Sequence, residues 1–292
     1  MGRVQDKVVF ITGAGHGQGR SHAVHLAKEG ADIVALDVCQ QVSDHVRYSY
    51  ATQDELDETR KLVEAEGRRC LTVVADVRDG AALKEAAAQA VNEFGRIDAV
   101  LANAGVCTFH KDGSLSITED VYDIVVDTNL KGVWNTIQAT APHLVEAGGG
   151  SIVITSSAAG VRGQVTYAHY VASKHGVVGL MKAFANELAP HGIRVNTIHP
   201  TGVLSAMSAA PDAWEVAPEW PQFIQGATNV LRDLDAPRDQ PYAPVPVLTP
   251  DEVSKTVLFL VSDDARYITG VQLPVDAGNL NKPLSQIPGG SR

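Results

Sequence analysis

Residues 7–37, KVVFITGAGHGQGRSHAVHLAKEGADIVALD, decide the fold. Their first eight residues are short, apolar and rich in β-branched side chains, as a buried strand requires. TGAGHGQG (12–19) follows at once. Gly13, Gly17 and Gly19 let the backbone turn tightly and bring amide groups at a helix start close to a phosphate. A helix is predicted over 19–30, with Ala23, Leu26 and Ala27 on one face and Gly30 ending it. DIVALD (32–37) is a second strand that closes on an acidic residue. A glycine-rich string is weak on its own. Between a strand and a helix, in the first such unit of a chain, it becomes specific for a dinucleotide.

The remaining chain keeps this alternation. Helices are predicted over 54–67, 81–95, about 118–147, about 167–190 and 250–263. Strands are predicted at CLTVVADV (70–77), IDAVLANAG (97–105), GSIVITSS (150–157), RVNTIHP (194–200) and VQLPVDAG (271–278). Strands separated by helices form a parallel sheet covered on both faces. The fold class is therefore α/β: one Rossmann-type, doubly wound domain over residues 1–292, with about seven parallel strands. Two segments break the rhythm. Residues 38–51 form a loop of 14 residues, where about two to six is usual. Residues 202–248 are rich in Pro and Trp and carry Met207, Trp214, Trp220 and Phe223. Such aromatics argue against disorder, and the segment is expected to be a substrate lid over an apolar alcohol.

Composition narrows the function classes. With 292 residues, 45% hydrophobic and 20% charged, the chain suits a soluble globular protein. Net charge is −10 with no basic run, which disfavours nucleic acid and anionic membrane as partners. No apolar run reaches the roughly 18 residues that span a bilayer, and the N-terminus lacks signal-peptide features. Cys39, Cys70 and Cys107 match neither a disulfide framework nor a metal site. Three reduced thiols in the cytoplasm are expected.

Asp37 ends the second strand 18 residues past Gly19. A carboxylate there accepts hydrogen bonds from a ribose diol and repels a 2′-phosphate, favouring NAD. Arg20, beside the turn, is the sole support for NADP. Asp76 and Val77 of ADV, and Asn103, Ala104 and Gly105 of NAG, close the third and fourth strands, where ligands bind in such sheets. Each also fits a plain turn residue.

SSAAGVRGQVTYAHYVASK (156–174) carries the chemistry. Tyr170 and Lys174 are four apart and share a helix face. Ser157 lies 13 residues upstream, at a strand end. A phenol of pKa about 10 is a poor base at neutral pH until a nearby ammonium lowers it. It then takes an alcohol proton as hydride leaves the carbon. Ser157 can hold the substrate oxygen. Tyr167 has no Lys four residues on, and His169 points about 100° from Tyr170, toward packing or the substrate wall. Asp276, in the last strand, has a structural part.

The chain resembles the short-chain dehydrogenase/reductase family over about residues 5–278. The resemblance rests on TGAGHGQG, Asp37, ADV, NAG, TNLKG, ITSS, YVASK, IRVNTIHPTGV and VDAG in order. It implies Ser157, Tyr170 and Lys174 as catalytic, with Asn129 of TNLKG holding a water in the proton relay beneath Lys174. It implies NAD contacts at Gly13, His16, Gly17, Gln18, Gly19, Asp37, Asp76, Val77, Asn103, Ala104, Gly105, Tyr170 and Lys174. Further contacts fall at Pro200, Gly202 and Val203, toward the carboxamide. Many relatives read Pro-Gly where this chain has Pro200-Thr201-Gly202, and Ser205 stands near a position where they often have Thr. A homotetramer is also implied.

TQDE (52–55) is a capping box, so a helix starts near Gln53 and the 38–51 loop ends at Thr52. Val42, Val46, Tyr48 and Tyr50 can fold back onto the protein. The loop leaves beside the adenosine end of the cofactor and is expected to govern NAD release rather than alcohol choice. With YATQDELDETRKLVEAEGRR (50–69) behind it, the insertion is similar to the mycofactocin-associated, carveol-dehydrogenase-like branch. That resemblance implies tightly held NAD, reoxidised in place by a mycofactocin redox partner. It also implies secondary alcohols, terpene alcohols such as carveol among them, as substrates. An NADPH-dependent ketone reductase and a non-catalytic NAD-binding scaffold are the alternatives.

Overall fold

A computed structural model describes residues 2–216, 218–219, 229–231, 233, 235 and 247–281. Seven parallel strands form one sheet: β1 (Val8–Thr12), β2 (Asp32–Asp37), β3 (Cys70–Val74), β4 (Ala99–Ala102), β5 (Gly150–Thr155), β6 (Ile193–Pro200) and β7 (Gln272–Val275). Their order is β3-β2-β1-β4-β5-β6-β7. The helices are α1 (Gly17–Lys28), α2 (Gln53–Ala65), α3 (Gly80–Phe94), α4 (Glu119–Val126), α5 (Gly132–Glu146), α6 (Ala168–Leu188), α7 (Pro211–Val216) and α8 (Pro250–Val261). This is the expected doubly wound α/β fold.

Strand periodicity divides the core into two layers. Val8 and Phe10 of β1, Val34 and Leu36 of β2 and Val100 of β4 face α3, α5 and α6. Val9 and Ile11, Ile33 and Ala35, and Leu101 face α1, α2 and α8. Each such side chain, fully buried, stabilises the fold by about 1.5–3 kcal/mol. Local signals set the helix ends. The Thr52 hydroxyl accepts from Glu55 N–H at 3.2 Å, and Glu55 accepts from Thr52 N–H at 2.8 Å. Asp79 caps α3 by accepting from Ala81 and Ala82 N–H, and Gly95 ends it at φ +84°.

Three departures from the sequence reading bear on the site. The helix expected over 118–147 is two helices joined by a π turn, Asp127–Lys131. The ends of CLTVVADV and IDAVLANAG leave their strands early, so Asp76 and Asn103 lie in turns above the sheet. The 202–248 segment contains a short helix, α7, that begins at a proline. Trp220 and Phe223 of the expected lid lie outside the described residues, as does the tail from 282, and only the backbone of Trp214 is described. No helix among the described residues is long and apolar enough to cross a membrane. The three cysteines are unpaired.

The strand order reverses between β1 and β4, so the loops that follow these two strands diverge. A cleft opens at their carboxyl ends, where this architecture places ligands.

Candidate active site

The glycine turn forms the floor of that cleft. Gly13 and Gly17 take positive φ, +69° and +55°. A Cβ on Gly19 would lie 2.0 Å from the Gly13 carbonyl oxygen, and one on Gly13 would lie 2.9 Å from Ala104 Cα. Side chains here would break the contact between the turn and the loop after β4. Thr12 and Asn103 bind those two loops together. The Thr12 hydroxyl accepts from Asn103 and Ala104 N–H at 3.0 and 3.1 Å. Asn103 Nδ2 donates to the Thr12 and Gly13 carbonyls, and its Oδ1 accepts from Thr155 at 3.2 Å. The Asn103 side chain therefore braces the cleft.

The cleft measures about 920 Å³ with its solvent-open mouth. Gly13, His16, Gly17, Gln18, Gly19, Asp37, Asp76, Val77, Asn103, Ala104 and Gly105 all line it. Asp37 Oδ2 accepts from Gly15 N–H at 2.9 Å and Oδ1 from Val38 N–H at 2.8 Å, leaving lone pairs on both oxygens. Burial pushes the Asp76 carboxyl up, but hydrogen bonds and charge from Arg78 outweigh this and hold it below the usual carboxylate range. Four buried polar atoms of lining residues have no protein partner: His16 Nε2, Gln18 Oε1, Tyr50 Oη and Thr128 Oγ1. Unpaired buried polar groups are costly, and their convergence on one cleft fits a polar ligand such as a dinucleotide.

Arg20 is engaged elsewhere. Its guanidinium donates to the carbonyls of Gly15 at 2.5 Å and Glu55 at 2.7 Å and to Thr59 Oγ1 at 3.0 Å. It ties the turn to α2 and has few donors left for a 2′-phosphate. The sole residue that favoured NADP thus has a structural use.

Ser157, Tyr170 and Lys174 come together past the inner end of the cleft. The Ser157 side chain lies close enough to the Tyr170 phenol to lower its pKa. Lys174 Nζ lies 5.6 Å from the Tyr170 ring centroid and donates to the Thr155 carbonyl at 2.8 Å. Burial lowers the Lys174 pKa to about 8, so the ammonium is still mostly charged at neutral pH. Burial pushes the Tyr170 phenol up and the neighbouring Ser157 side chain pulls it down. A Cβ on Gly105 would lie 3.3 Å from Lys174 Nζ, so Lys174 reaches the cleft. Glycine is needed at 160 as well, where a Cβ would lie 2.6 Å from the Lys174 carbonyl oxygen.

The Asn129 carboxamide is fully buried. Its Oδ1 accepts from Val106 N–H at 2.7 Å, and Nδ2 donates to the Val106 carbonyl at 2.8 Å and to Ser173 Oγ at 3.2 Å. Its side chain is spent on these partners. Pro200 ends β6. Val203 forms an isolated parallel bridge with Leu248, made by Leu248 N–H to the Gly202 carbonyl and Leu204 N–H to the Leu248 carbonyl. The backbone groups of Val203 take no part in it. Pro200, Gly202 and Val203 do not line the cleft; Ser205 and Met207 of the same segment do.

The sequence matches the short chain dehydrogenase family over residues 7–216. The chain belongs to the short-chain dehydrogenase family. It is 44% identical over 291 residues to (-)-trans-carveol dehydrogenase of Rhodococcus erythropolis, covering 97% of this chain and 100% of that protein. Two similar solved structures are mycobacterial. Carveol dehydrogenase from Mycobacterium avium in complex with NAD is 43% identical, with TM-score 0.84, covering 97% of this chain and 100% of that one. A short chain dehydrogenase from Mycobacterium paratuberculosis bound to NAD is 40% identical, with TM-score 0.88, covering 96% and 100%. The likeness to the carveol-dehydrogenase-like branch therefore extends over nearly the whole chain.

One part of this dehydrogenase's site escaped sequence reasoning, and another reaches further than expected. His199 is fully buried, and its Nδ1 bonds the Ser157 carbonyl at 2.8 Å while Nε2 bonds Thr197 Oγ1 at 2.9 Å. It fixes the peptide that presents the Ser157 hydroxyl. No spacing rule links positions 42 residues apart, so nothing in IHP flagged it. The second part is the inserted loop. Val42, Tyr48, Ser49, Tyr50 and Ala51 line the cleft alongside Asp37. The loop was expected to keep to the cofactor end, but Val42, Val46, Tyr48 and Tyr50 pack with Val106, Ile124, Val125 and Tyr170. Its apolar side chains carry it past the Asp37 carboxylate to Tyr170. His169 is buried, with Nε2 2.7 Å from Thr108 Oγ1 and its pKa lowered by burial to about 4, so it stays neutral. Tyr167 stacks edge-on with Phe109 and Tyr170.

Proposed function

We propose that this chain oxidises an apolar secondary alcohol, terpene alcohols such as carveol among them, to the ketone. It is an NAD-dependent alcohol dehydrogenase, and the observation that carries the reading is the Lys174 ammonium 5.6 Å from the Tyr170 ring, with the Ser157 side chain beside the phenol. The glycine turn would hold the pyrophosphate through its amides, with His16 and Gln18 beside it, and Asp37 the ribose diol. Asp76, Val77, Asn103, Ala104 and Gly105 would take the contacts along the cleft, and Pro200, Gly202 and Val203, outside its lining, those toward the carboxamide. When bound, NAD supplies the hydride acceptor.

Ser157 holds the alcohol oxygen, and Tyr170 takes its proton as the carbon–hydrogen bond breaks. A buried phenol resists ionisation, so Tyr170 depends on nearby positive charge. The Lys174 ammonium supplies it through space, since its own hydrogen bond goes to Thr155. Lys174 would also bind the nicotinamide ribose, and Asn129 would support the proton relay through its main chain, since its side chain is held by Val106 and Ser173. An intact Ser–Tyr–Lys set argues against a non-catalytic scaffold, which needs no base. Asp37 in the cleft and the engagement of Arg20 argue against an NADPH-dependent ketone reductase. The reading includes tightly held NAD, a mycofactocin redox partner that reoxidises it in place, a homotetramer and a cytoplasmic location.

The test has two parts. A panel of secondary alcohols with an artificial electron-acceptor dye should give turnover without added NAD. Denaturing the purified protein should release the dinucleotide into the supernatant. No turnover on any alcohol would refute the activity, and an empty protein that exchanges added NAD freely would refute retention.

A further inference from the structure

The inserted loop reaches the wall on which an alcohol would rest. Tyr48 lines the cleft and packs with Val106 and Tyr170. Its buried hydroxyl accepts a hydrogen bond from Cys107 N–H at 3.0 Å. Cys107 opens a second apolar cluster with Phe109, Tyr167, Tyr170 and Met207. The preceding residue, Val106, is clamped at both its N–H and its carbonyl by Asn129. Two successive residues after β4 are thus pinned from opposite sides. The catalytic framework holds Val106; the inserted loop holds Cys107.

We propose that Tyr48 is a positioning residue that sets alcohol specificity. By fixing Cys107 it fixes the wall of Phe109, Tyr167 and Met207 beside Tyr170, so the insertion helps to decide which alcohols fit. The inference rests on the alcohol dehydrogenase reading of the same site. Tyr48→Phe keeps the ring and removes the acceptor, which leaves Cys107 N–H without its partner. An unpaired buried amide shifts to find another, and the wall moves with it.

The experiment compares Tyr48→Phe with the wild type as NAD-loaded protein, using (-)-trans-carveol and cyclohexanol with an acceptor dye. The ratio of kcat/KM for carveol over cyclohexanol should fall about two- to ten-fold, the span of one neutral hydrogen bond. The change should lie in KM for carveol. Retained NAD should match the wild type, the melting temperature should fall by only a few degrees, and amide hydrogen exchange at Cys107 should quicken. An unchanged ratio overturns the proposal. So does a loss of NAD in step with KM, because the loop would then act on the cofactor alone. If the wild type oxidises neither of these nor any other secondary alcohol of the panel, the proposed function falls and this inference with it. If the wild type turns over and the variant matches it, only this inference falls.

Discussion

The loops that leave β2 and β6 are both long, and both rise from the carboxyl end of the sheet, yet they are anchored differently. The loop after β2 buries its own side chains: Val46 is 2% exposed and Ala51 3%. Tyr48 bonds the backbone after β4, His45 pairs with Asp120 of α4 at 2.6 Å, and Arg47 pairs with Glu215 of α7 at 2.7 and 3.0 Å. The described part of the segment after β6 is closed at its root by the Val203–Leu248 bridge. Above that root it leaves Leu204 60% and Val247 40% exposed and is buried again around α7, at Ala210, Ala213 and Val216. Loop length costs little, since closure entropy grows only with the logarithm of length. Burial of apolar side chains is what makes the first loop part of the site.

The two regions meet over Tyr170, and replacing it is the strongest test of that meeting point. Tyr170→Phe should lower kcat by about 10²–10⁴-fold, the usual worth of a general base, while NAD stays bound. Steady-state turnover with a dye acceptor and dinucleotide release on denaturation check both halves. Retained activity would show that the regions converge on a residue other than the base.

Shortening residues 38–51 to about four tests the anchoring itself. It removes the lining from Val42, Tyr48 and Tyr50 together. NAD exchange should rise and KM for bulky alcohols should rise with it, about ten-fold or more from the lost burial. Exchange of labelled NAD and a substrate panel measure the two effects. A change in exchange alone would return the loop to the cofactor end and break the comparison. Arg47→Gln should have the smallest effect, less than about two-fold in kcat/KM, because exposed ion pairs contribute little. Raising the salt concentration should reproduce it in the wild type. A larger effect would mean that the loop and α7 move as one lid.

Much of this was legible in the sequence. The short, continuously buried apolar runs VVFIT and DIVALD, the spacing of TGAGHGQG, the Thr52–Glu55 box and the four-residue step from Tyr170 to Lys174 are all local patterns. Within one element, backbone geometry converts spacing directly into position, so the fold, the cleft and the pairing of phenol with ammonium could be reasoned from residue order. The tertiary structure decided what distant side chains do. Asn103 braces the glycine turn across about 90 positions, Arg20 reaches back to Gly15 and α2, His199 pins Ser157, and the Asn129 side chain is spent on Val106. Above all, it decided that the loop after Asp37 ends against Cys107 and Tyr170. No window of sequence holds such a choice, because a hydroxyl or amide takes whichever buried partner the packed core brings near it.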